Sequence, residues 1–128
     1  MIGVTHTMPS LLFVSHNADL RAVATRVLER EGWRVKAVEH GGHAFLACVE
    51  NPVFDVMVIE NDLPEGPGAA IARRLRRYFP QMEVVRMCDR AVAPAAAEAD
   101  GVGTAVVRPF MADDLIEAVQ ALRRATSR

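Results

Sequence analysis

The sequence predicts an α/β fold: a doubly wound, five-stranded parallel sheet with helices on both faces. Two observations support this prediction. Short apolar segments of strand length alternate with longer segments whose apolar residues recur at helical spacing. The run 56–59 is apolar throughout, and 10–15 is apolar apart from its two terminal serines, which is typical of strands covered on both sides. Strands and helices that alternate in this way form a parallel sheet with right-handed crossovers.

The first half of the chain supplies two strands and two helices. The predicted strands are 10–15, which is apolar, and 33–38, which alternates apolar and polar residues. Asn17 is a suitable N-cap for the first helix, and Gly32 ends that helix. The apolar stripe of this helix comprises Leu20, Val23, Ala24, Val27 and Leu28. The second helix is predicted over 42–49. Its inward-facing residues are expected to be Ala44, Phe45 and Cys48.

The central segment, residues 54–68, reads Phe-Asp-Val-Met-Val-Ile-Glu-Asn-Asp-Leu-Pro-Glu-Gly-Pro-Gly. Its apolar run 56–59 has the length of a buried strand and ends at Glu60. In open parallel sheets, chemistry collects at the carboxyl ends of the strands, so Glu60 is a functional candidate. The alternative is that Glu60 is only the first polar residue after a strand.

The second half continues the alternation. The predicted helices are 67–78, with Ile71 and Leu75 on the buried side, an alanine-rich helix over 91–99, and a last helix that opens at Asp113 or Asp114. The predicted strands are 83–87 and 104–107. Pro94 interrupts the alanine-rich helix.

Composition limits the class of protein. A chain of 128 residues has room for one domain with a sizeable core. The net charge of -1 does not call for nucleic acid or an anionic membrane as a partner. The two cysteines, Cys48 and Cys88, fit a reducing compartment. No signal peptide or membrane span is recognisable, so we expect a soluble cytoplasmic protein.

Five separate segments of the chain match the sequence pattern of a known protein family, and they occur in the same order as in that family. The stretches that carry it are Asn17-Ala-Asp-Leu-Arg with its helix to Gly32-Trp33, Phe54-Asp-Val-Met-Val-Ile-Glu with Leu63-Pro64 and Gly68, and Val106-Val-Arg-Pro-Phe110. The chain resembles the receiver domain of two-component response regulators. The resemblance implies a flavodoxin-like fold with strand order 2-1-3-4-5. It also implies a flexible leader over 1–9, a receiver-like domain over 10–125 and a C-terminal tail over 126–128.

Receiver domains are phosphorylation switches, and this sequence departs from the family at each functional position. The acid pair that holds Mg²⁺ is replaced by Ser15 and His16. The aspartate that accepts the phosphoryl group from a histidine kinase is replaced by Glu60. Three further functional positions also differ from the family. Cys88 replaces the hydroxyl residue and Arg108 replaces the lysine, both of which contact the phosphoryl oxygens in the family. Ala105 replaces the aromatic residue that changes position when the site is occupied. The retained frame includes Asp55, Pro64, Gly68, Pro109 and Phe110, and a cis bond at 108–109 is implied.

These substitutions predict that the phosphorylation site is disabled. Mg²⁺ prefers carboxylate and other oxygen ligands, and Glu60 is left as the sole expected carboxylate of the pocket. Its extra methylene moves the oxygens by about a bond length, and a displacement on that scale can cost ~100-fold in rate. We therefore expect no Mg²⁺ site and no phosphorylation at Glu60. We also expect Glu60 and Arg108 to form an ion pair in the space of the phosphoryl group. The alternative is that the two are near each other but solvated.

Several side chains near this site have two interpretations. His16 is either a pH sensor or a surface histidine at a strand end. Cys88 is either a redox-sensitive thiol or a small residue that fills the space of a hydroxyl. No spacing supports a metal site or a Cys-His nucleophile. Arg86 lies within a predicted strand. It either pairs with Glu98 or Asp100, or extends to water.

The surface suggests an altered signalling face. The segment 88–108 is shorter than in the family, which predicts a shortened or displaced fourth helix or, alternatively, ordinary loop variation. A basic cluster on the third helix is either a solvated face or a docking surface for an acidic partner. Its members are Arg73, Arg74, Arg76 and Arg77.

The sequence thus predicts a stand-alone, non-enzymatic pseudo-receiver that acts by phosphorylation-independent protein–protein interaction. Its expected partners are a histidine kinase, a response regulator or an output protein. No nucleic acid, membrane or cofactor is expected, and the chain should be a monomer or a weak homodimer. The first alternative is a receiver that is still weakly phosphorylated. The second is a small flavodoxin-like enzyme or ligand-binding domain, which would need a glycine-rich loop that 15–18 does not supply.

Overall fold

The fold is an alternation of strands and helices, as predicted. The computed structural model describes residues 9–51, 54–88 and 104–107. In chain order the elements are β1 (Ser10–Val14), α1 (Ala18–Arg30), β2 (Arg34–Val38), α2 (Gly41–Glu50), β3 (Val56–Glu60), β4 (Asp62–Leu63), β5 (Gly66–Pro67), α3 (Gly68–Tyr78), β6 (Glu83–Cys88) and β7 (Thr104–Val107). The predicted helices over 91–99 and from 113 onward, the leader up to residue 8 and the tail 126–128 lie outside the described residues.

The main sheet has the predicted topology. Its five strands lie in the order β2-β1-β3-β6-β7, and every neighbouring pair is parallel. Numbered by the main-sheet strands alone, this is the order 2-1-3-4-5. The first strand ends at Val14, one residue earlier than predicted, and Ser15 is the first residue beyond it.

Two cores lie on opposite faces of this sheet, because alternate side chains of each strand point to opposite sides. On one face, Ala24 and Leu28 of α1 pack with Trp33 and with the strand residues Leu11, Phe13, Val56 and Val58. On the other face, α2 and α3 pack on Leu12, Val14, Met57 and Ile59. The helices that the structure describes thus cover both faces of the sheet.

Two predictions about helix faces were wrong. Phe45 is 41% exposed rather than inward-facing, and Val23 is 54% exposed rather than part of the buried stripe. α2 instead buries Ala44, Ala47 and Cys48. We attribute this choice to size, because small side chains let the helix lie close to the sheet while the larger ones turn outward. On α3, Leu75 is buried as predicted, whereas Ile71 is only partly buried.

A short hairpin after β3 was not predicted. Strand β4 pairs with β5 in an antiparallel arrangement, and Gly66 has a φ of 143° that favours glycine. The chain then enters α3 at Gly68, whose N–H donates to the Asn61 carbonyl at 2.7 Å. A Cβ atom at Gly68 would lie only 2.1 Å from the Glu60 carbonyl oxygen. The absence of a side chain at Gly68 therefore sets how closely α3 approaches the end of β3.

Candidate functional site

The carboxyl ends of β1 and β3 bring three predicted site residues together. Val14 is in register with Ile59, so the residues that follow them, Ser15 and Glu60, are neighbours at the same edge of the sheet. His16 continues the turn after Ser15 toward α1. We call Ser15, His16 and Glu60 the Glu60 cluster.

One carboxylate oxygen is the centre of this cluster. The Ser15 hydroxyl donates to Glu60 Oε1 at 2.5 Å, and the His16 backbone N–H donates to the same oxygen at 3.0 Å. The His16 ring nitrogen Nδ1 lies 3.0 Å from this oxygen as well. Ser15 and Glu60 are fully buried, whereas the His16 side chain is 47% exposed. The carboxylate is thus withdrawn from solvent and held by three groups of the β1–α1 turn.

The turn that supplies these groups is itself held by hydrogen bonds. The Asn17 N–H donates to Ser15 Oγ at 3.1 Å, and Asn17 Oδ1 accepts from the Leu20 N–H at 3.0 Å, which makes Asn17 the predicted N-cap of α1. Arg21 donates from Nη1 to the Ser15 carbonyl at 2.7 Å. We did not predict this role of Arg21. Its position at the end of the first turn of α1, four residues after the N-cap, is the only signal in the sequence.

The side chains described at this edge do not fit Mg²⁺. That ion prefers several oxygen ligands in octahedral geometry, usually one or two carboxylates with waters. Here a hydroxyl and an imidazole stand at the acid-pair positions, and Oε1 of Glu60 already accepts from both of their residues. Asp62, the next acid along the chain, is exposed on β4. Within 9–51, 54–88 and 104–107, no group of three or more His, Cys, Asp or Glu residues could hold a metal ion.

The remaining predicted site residues are only partly within the described structure. Cys88 ends β6 and is in register with Val107 of β7, while Ala105 is in register with Arg86. Pro64 is exposed in the turn between β4 and β5. Arg108 and Pro109 lie outside the described residues. The Glu60–Arg108 ion pair, the cis bond and the redox role of Cys88 therefore stay predictions.

Arg86 does not extend to water. Its side chain is 1% exposed, because β6 is an inner strand of the sheet between β3 and β7. This burial contradicts the interpretation in which the guanidinium reaches solvent along its alkyl stem. The suggested partners Glu98 and Asp100 lie outside the described residues, so that pairing stays a prediction.

A groove lies beside the Glu60 cluster, on the side of α2. It has a volume of about 550 Å³ and is lined by His16, Glu39, His40, Gly42, Pro64 and Glu65. The N-terminus of α2 forms part of its wall, where Glu65 accepts from the Gly41 N–H and His40 Nδ1 accepts from the His43 N–H. The exposed part of His16 therefore faces a surface on which Glu65 and His40 already make hydrogen bonds within the protein.

The chain is similar to known receiver domains over nearly its full length. The family model of the response regulator receiver domain matches residues 11–120. A receiver domain protein from Clostridium thermocellum superposes with a TM-score of 0.84 at 19% identity, covering 94% of this chain and 98% of that one. A receiver protein from Sinorhizobium medicae has a TM-score of 0.81 at 25% identity, with 94% and 98% covered. The chemotaxis protein CheY4 of Vibrio cholerae has a TM-score of 0.81 at 19% identity, with 91% and 99% covered.

The family of this chain follows from its sequence pattern and its fold together. No curated protein sequence matches the chain. In the part of the chain that the structure describes, no helix has the length and apolar character needed to cross a membrane. The matched family model, the strand order and the superposed structures agree with one another. The chain belongs to the response regulator receiver domain family, the signalling domain of two-component systems.

Proposed function

We propose that this receiver domain acts as a pseudo-receiver, a protein-interaction module that signals without being phosphorylated at Glu60. The observation that carries the proposal is the state of the Glu60 carboxylate. It is fully buried, and one of its oxygens is held by Ser15 and by two nitrogens of His16. A carboxylate in this environment is a structural acceptor of hydrogen bonds rather than an accessible nucleophile.

The chemistry of phosphoryl transfer supports the same conclusion. Such transfer depends on positioning and on cations that neutralise the charge of the transferring group. The groups around Glu60 Oε1 are a neutral hydroxyl, a backbone N–H and an imidazole, and they do not fit Mg²⁺. The extra methylene of Glu60 relative to aspartate also displaces its oxygens from the reactive position.

The cluster also suggests how the domain acts instead. Its hydrogen bonds join the β1–α1 turn to the end of β3, so the edge of the sheet has one arrangement that needs no phosphate. The predicted Glu60–Arg108 ion pair would add a contact from the segment after β7. A fixed surface of this kind suits constitutive binding to a histidine kinase, another response regulator or an output protein. An enzymatic or ligand-binding role lacks comparable support, because the turn after β1 is held by its own side chains.

The direct test is intact mass spectrometry after incubation with acetyl phosphate and Mg²⁺. The wild type and Glu60→Gln are compared, with an active receiver that carries an aspartate at the same position as a positive control. We expect a phosphoryl adduct on the positive control alone. An adduct on the wild type that disappears in Glu60→Gln would show that the switch still works and would overturn the proposal.

A restored variant sharpens this test. Ser15→Asp, His16→Asp and Glu60→Asp, combined in one chain, return the acids that the family uses at these positions. We expect this variant to take up more phosphoryl label than the wild type. Equal labelling of the two proteins would mean that restoring these three positions is not sufficient, and the replacements at Cys88 and Arg108 would then have to be reversed as well.

A further inference from the structure

An exposed apolar patch lies far from the strand ends, on the outer side of α2. Large exposed apolar side chains in the described ranges are Phe45 (41%), Leu46 (53%), Val49 (56%), Tyr78 (66%) and Val23 (54%). All but Val23 lie on α2 or at the end of α3, and we call these the α2–α3 patch. Single exposed apolar residues are ordinary, whereas a cluster marks an interaction site more often than chance.

Helix geometry makes the patch continuous. At about 100° per residue, Phe45, Val49 and Leu46 occupy one arc of roughly 100° on α2. This arc lies outside the arc formed by Ala44, Ala47 and Cys48, which packs on the core. The Phe45 ring contacts the Tyr78 ring edge-on, with ring centroids 6.0 Å apart and an angle of 80° between the planes. The two helices therefore share one apolar surface.

The border of the patch toward α3 is cationic. Arg74 precedes Tyr78 by one helical turn, and both are exposed, as are Arg73 and Arg77. Helix α3 contains no acidic residue. Glu50, at the end of α2, is the acid on the far side of the stripe. An apolar stripe with guanidinium groups along one edge is complementary to an apolar stripe with carboxylates along the matching edge.

We infer that the α2–α3 patch docks an amphipathic helix of a signalling partner, whose apolar stripe is bordered by Asp or Glu residues. Apolar side chains of such a helix pack against Leu46 and Val49, as in helix-in-groove recognition. Its carboxylates pair with Arg74 and Arg77, which sets the orientation of the helix, because the planar guanidinium binds a carboxylate through two hydrogen bonds.

A second copy of this chain is a poorer match for the patch. In a two-fold dimer the same surface meets itself. When the α2 helices of the two copies run antiparallel, the arginine edges face each other. When they run parallel, two guanidinium groups face the single carboxylate of Glu50. The charges on the border therefore favour a different, acidic partner. The inference rests on the proposed function, a domain that acts by binding, but its test uses no phosphate.

The test is selection from a displayed library of amphipathic helices about 20 residues long, or roughly five turns. Apolar residues are held along one stripe, and the flanking positions are randomised among acidic, basic and neutral residues. The wild-type domain is the bait, and Leu46→Glu is the counter-selection. We expect the selected helices to be enriched in Asp and Glu on one flank. Enrichment in Lys and Arg, or no enrichment over the counter-selected background, would overturn the inference.

Matched variants then locate the binding surface. Leu46→Glu and Val49→Glu should weaken binding of a selected helix at least about tenfold, in the range of interface hot spots. Val23→Glu places the same change at an equally exposed apolar residue of α1, on the other face of the sheet, and should leave the affinity within about twofold. An equal loss in Val23→Glu would contradict the assignment.

Charge reversal gives a readout that misfolding cannot imitate. The double variant Arg74→Glu with Arg77→Glu should lose the acid-flanked helix and gain a synthetic counterpart whose flank carries Lys. No gain of the Lys-flanked helix would contradict the role of the arginines. Sedimentation of the wild type provides the last check: a dimer that Leu46→Glu converts to a monomer would assign the patch to a second copy. None of these outcomes depends on whether Glu60 is phosphorylated, so the two proposals can fail separately.

Discussion

The Glu60 cluster and the α2–α3 patch differ in where they direct their binding groups. In the cluster, the polar groups turn inward and bond to one another, so that Ser15 and Glu60 have no exposed surface. In the patch, the apolar side chains turn outward, and all four are at least 41% exposed. The polar groups of the cluster form hydrogen bonds within the chain, whereas the apolar side chains of the patch remain largely exposed to solvent.

This contrast separates two requirements of a signalling domain: the chemistry at its strand ends and a surface that a partner can contact. Receiver domains resemble one another at the strand ends because the phosphoryl chemistry there is shared. The surface that a partner contacts can lie on any helix. In the proposed function the groups at the strand ends serve the fold, and among the described residues the outer side of α2 offers an exposed apolar surface to a partner.

The largest expected effect concerns Gly68, where the start of α3 lies against the backbone of Glu60. Gly68→Ala places a Cβ atom against the Glu60 carbonyl oxygen, where the ideal distance is 2.1 Å and backbone must move. We expect a loss of about 3 kcal/mol in the free energy of unfolding, measured by urea denaturation. Gly42→Ala in α2 is the control, because its Cβ would meet only the His40 ring, and it should change stability by about 0.5 kcal/mol. Equal effects of the two changes would mean that the strand end is loosely packed.

The buried side of α2 should respond to pH. Burial raises the pKa of the Cys48 thiol from 9.0 to about 11. The folded state therefore keeps its proton at a pH where the unfolded state has lost it. The stabilisation is fully present below pH 9 and is lost as the pH rises toward 11, by about 2 kcal/mol.

The check on Cys48 is urea denaturation between about pH 8 and pH 10.5, with Cys88→Ser present throughout so that the second thiol does not contribute. The protein that retains Cys48 should lose more free energy of unfolding over this range than the variant with Cys48→Ala, because alanine has no proton to release. Parallel pH profiles for the two proteins would show that the thiol on the inner side of α2 is reached by water.

A double-mutant cycle tests whether the cluster is satisfied internally. Ser15→Ala removes the hydroxyl that donates to Glu60 Oε1, and Glu60→Ala removes the acceptor. We expect a coupling energy of about 1.5 kcal/mol between the two positions, typical of a hydrogen bond to a charged group. Ser15→Ala combined with Leu46→Glu should be additive, since the two residues lie in different regions. Zero coupling in the cycle would mean that Ser15 and Glu60 do not stabilise each other, and the cluster would then not differ from the patch in this respect.

The smallest expected effect is on the patch. Leu46→Glu and Val49→Glu should each change the free energy of unfolding by less than about 0.5 kcal/mol, because both side chains are more than half exposed. Ala44→Glu, on the buried side of the same helix, should prevent folding or nearly so. A large loss in Leu46→Glu would mean that the stripe serves the fold rather than a partner.

Most of the sheet could be predicted from the sequence, because β1, β3 and β7 are mainly apolar runs of strand length and β2 alternates apolar and polar residues. The N-cap at Asn17 could be predicted from the sequence as well, and the resemblance to receiver domains implied that Ser15 and Glu60 belong to one site. The contacts themselves could not, because they depend on how the turn at His16 places a backbone N–H and a ring nitrogen against one oxygen.

Two misses have identifiable physical causes. Residues 44–49 of α2 are all apolar, so periodicity could not decide which of them face the core. Side-chain size decided instead, with Ala47 inside and Phe45 outside. The hairpin β4–β5 has only two residues in each strand, too few to produce a pattern. Its signal was the Gly/Pro cluster, which predicts a turn but not the pairing.

The contact at Gly68 depends on the backbone of residue 60 and not on its side chain. The atom that excludes a side chain there is the carbonyl oxygen of residue 60, and every amino acid has that oxygen. The constraint on Gly68 is therefore the same whether position 60 holds an aspartate or a glutamate. Glycine at this position is required by the backbone path from β3 into α3, whichever side chain residue 60 carries. A backbone contact of this kind therefore reports on the fold of the chain and carries no information about the chemistry at position 60.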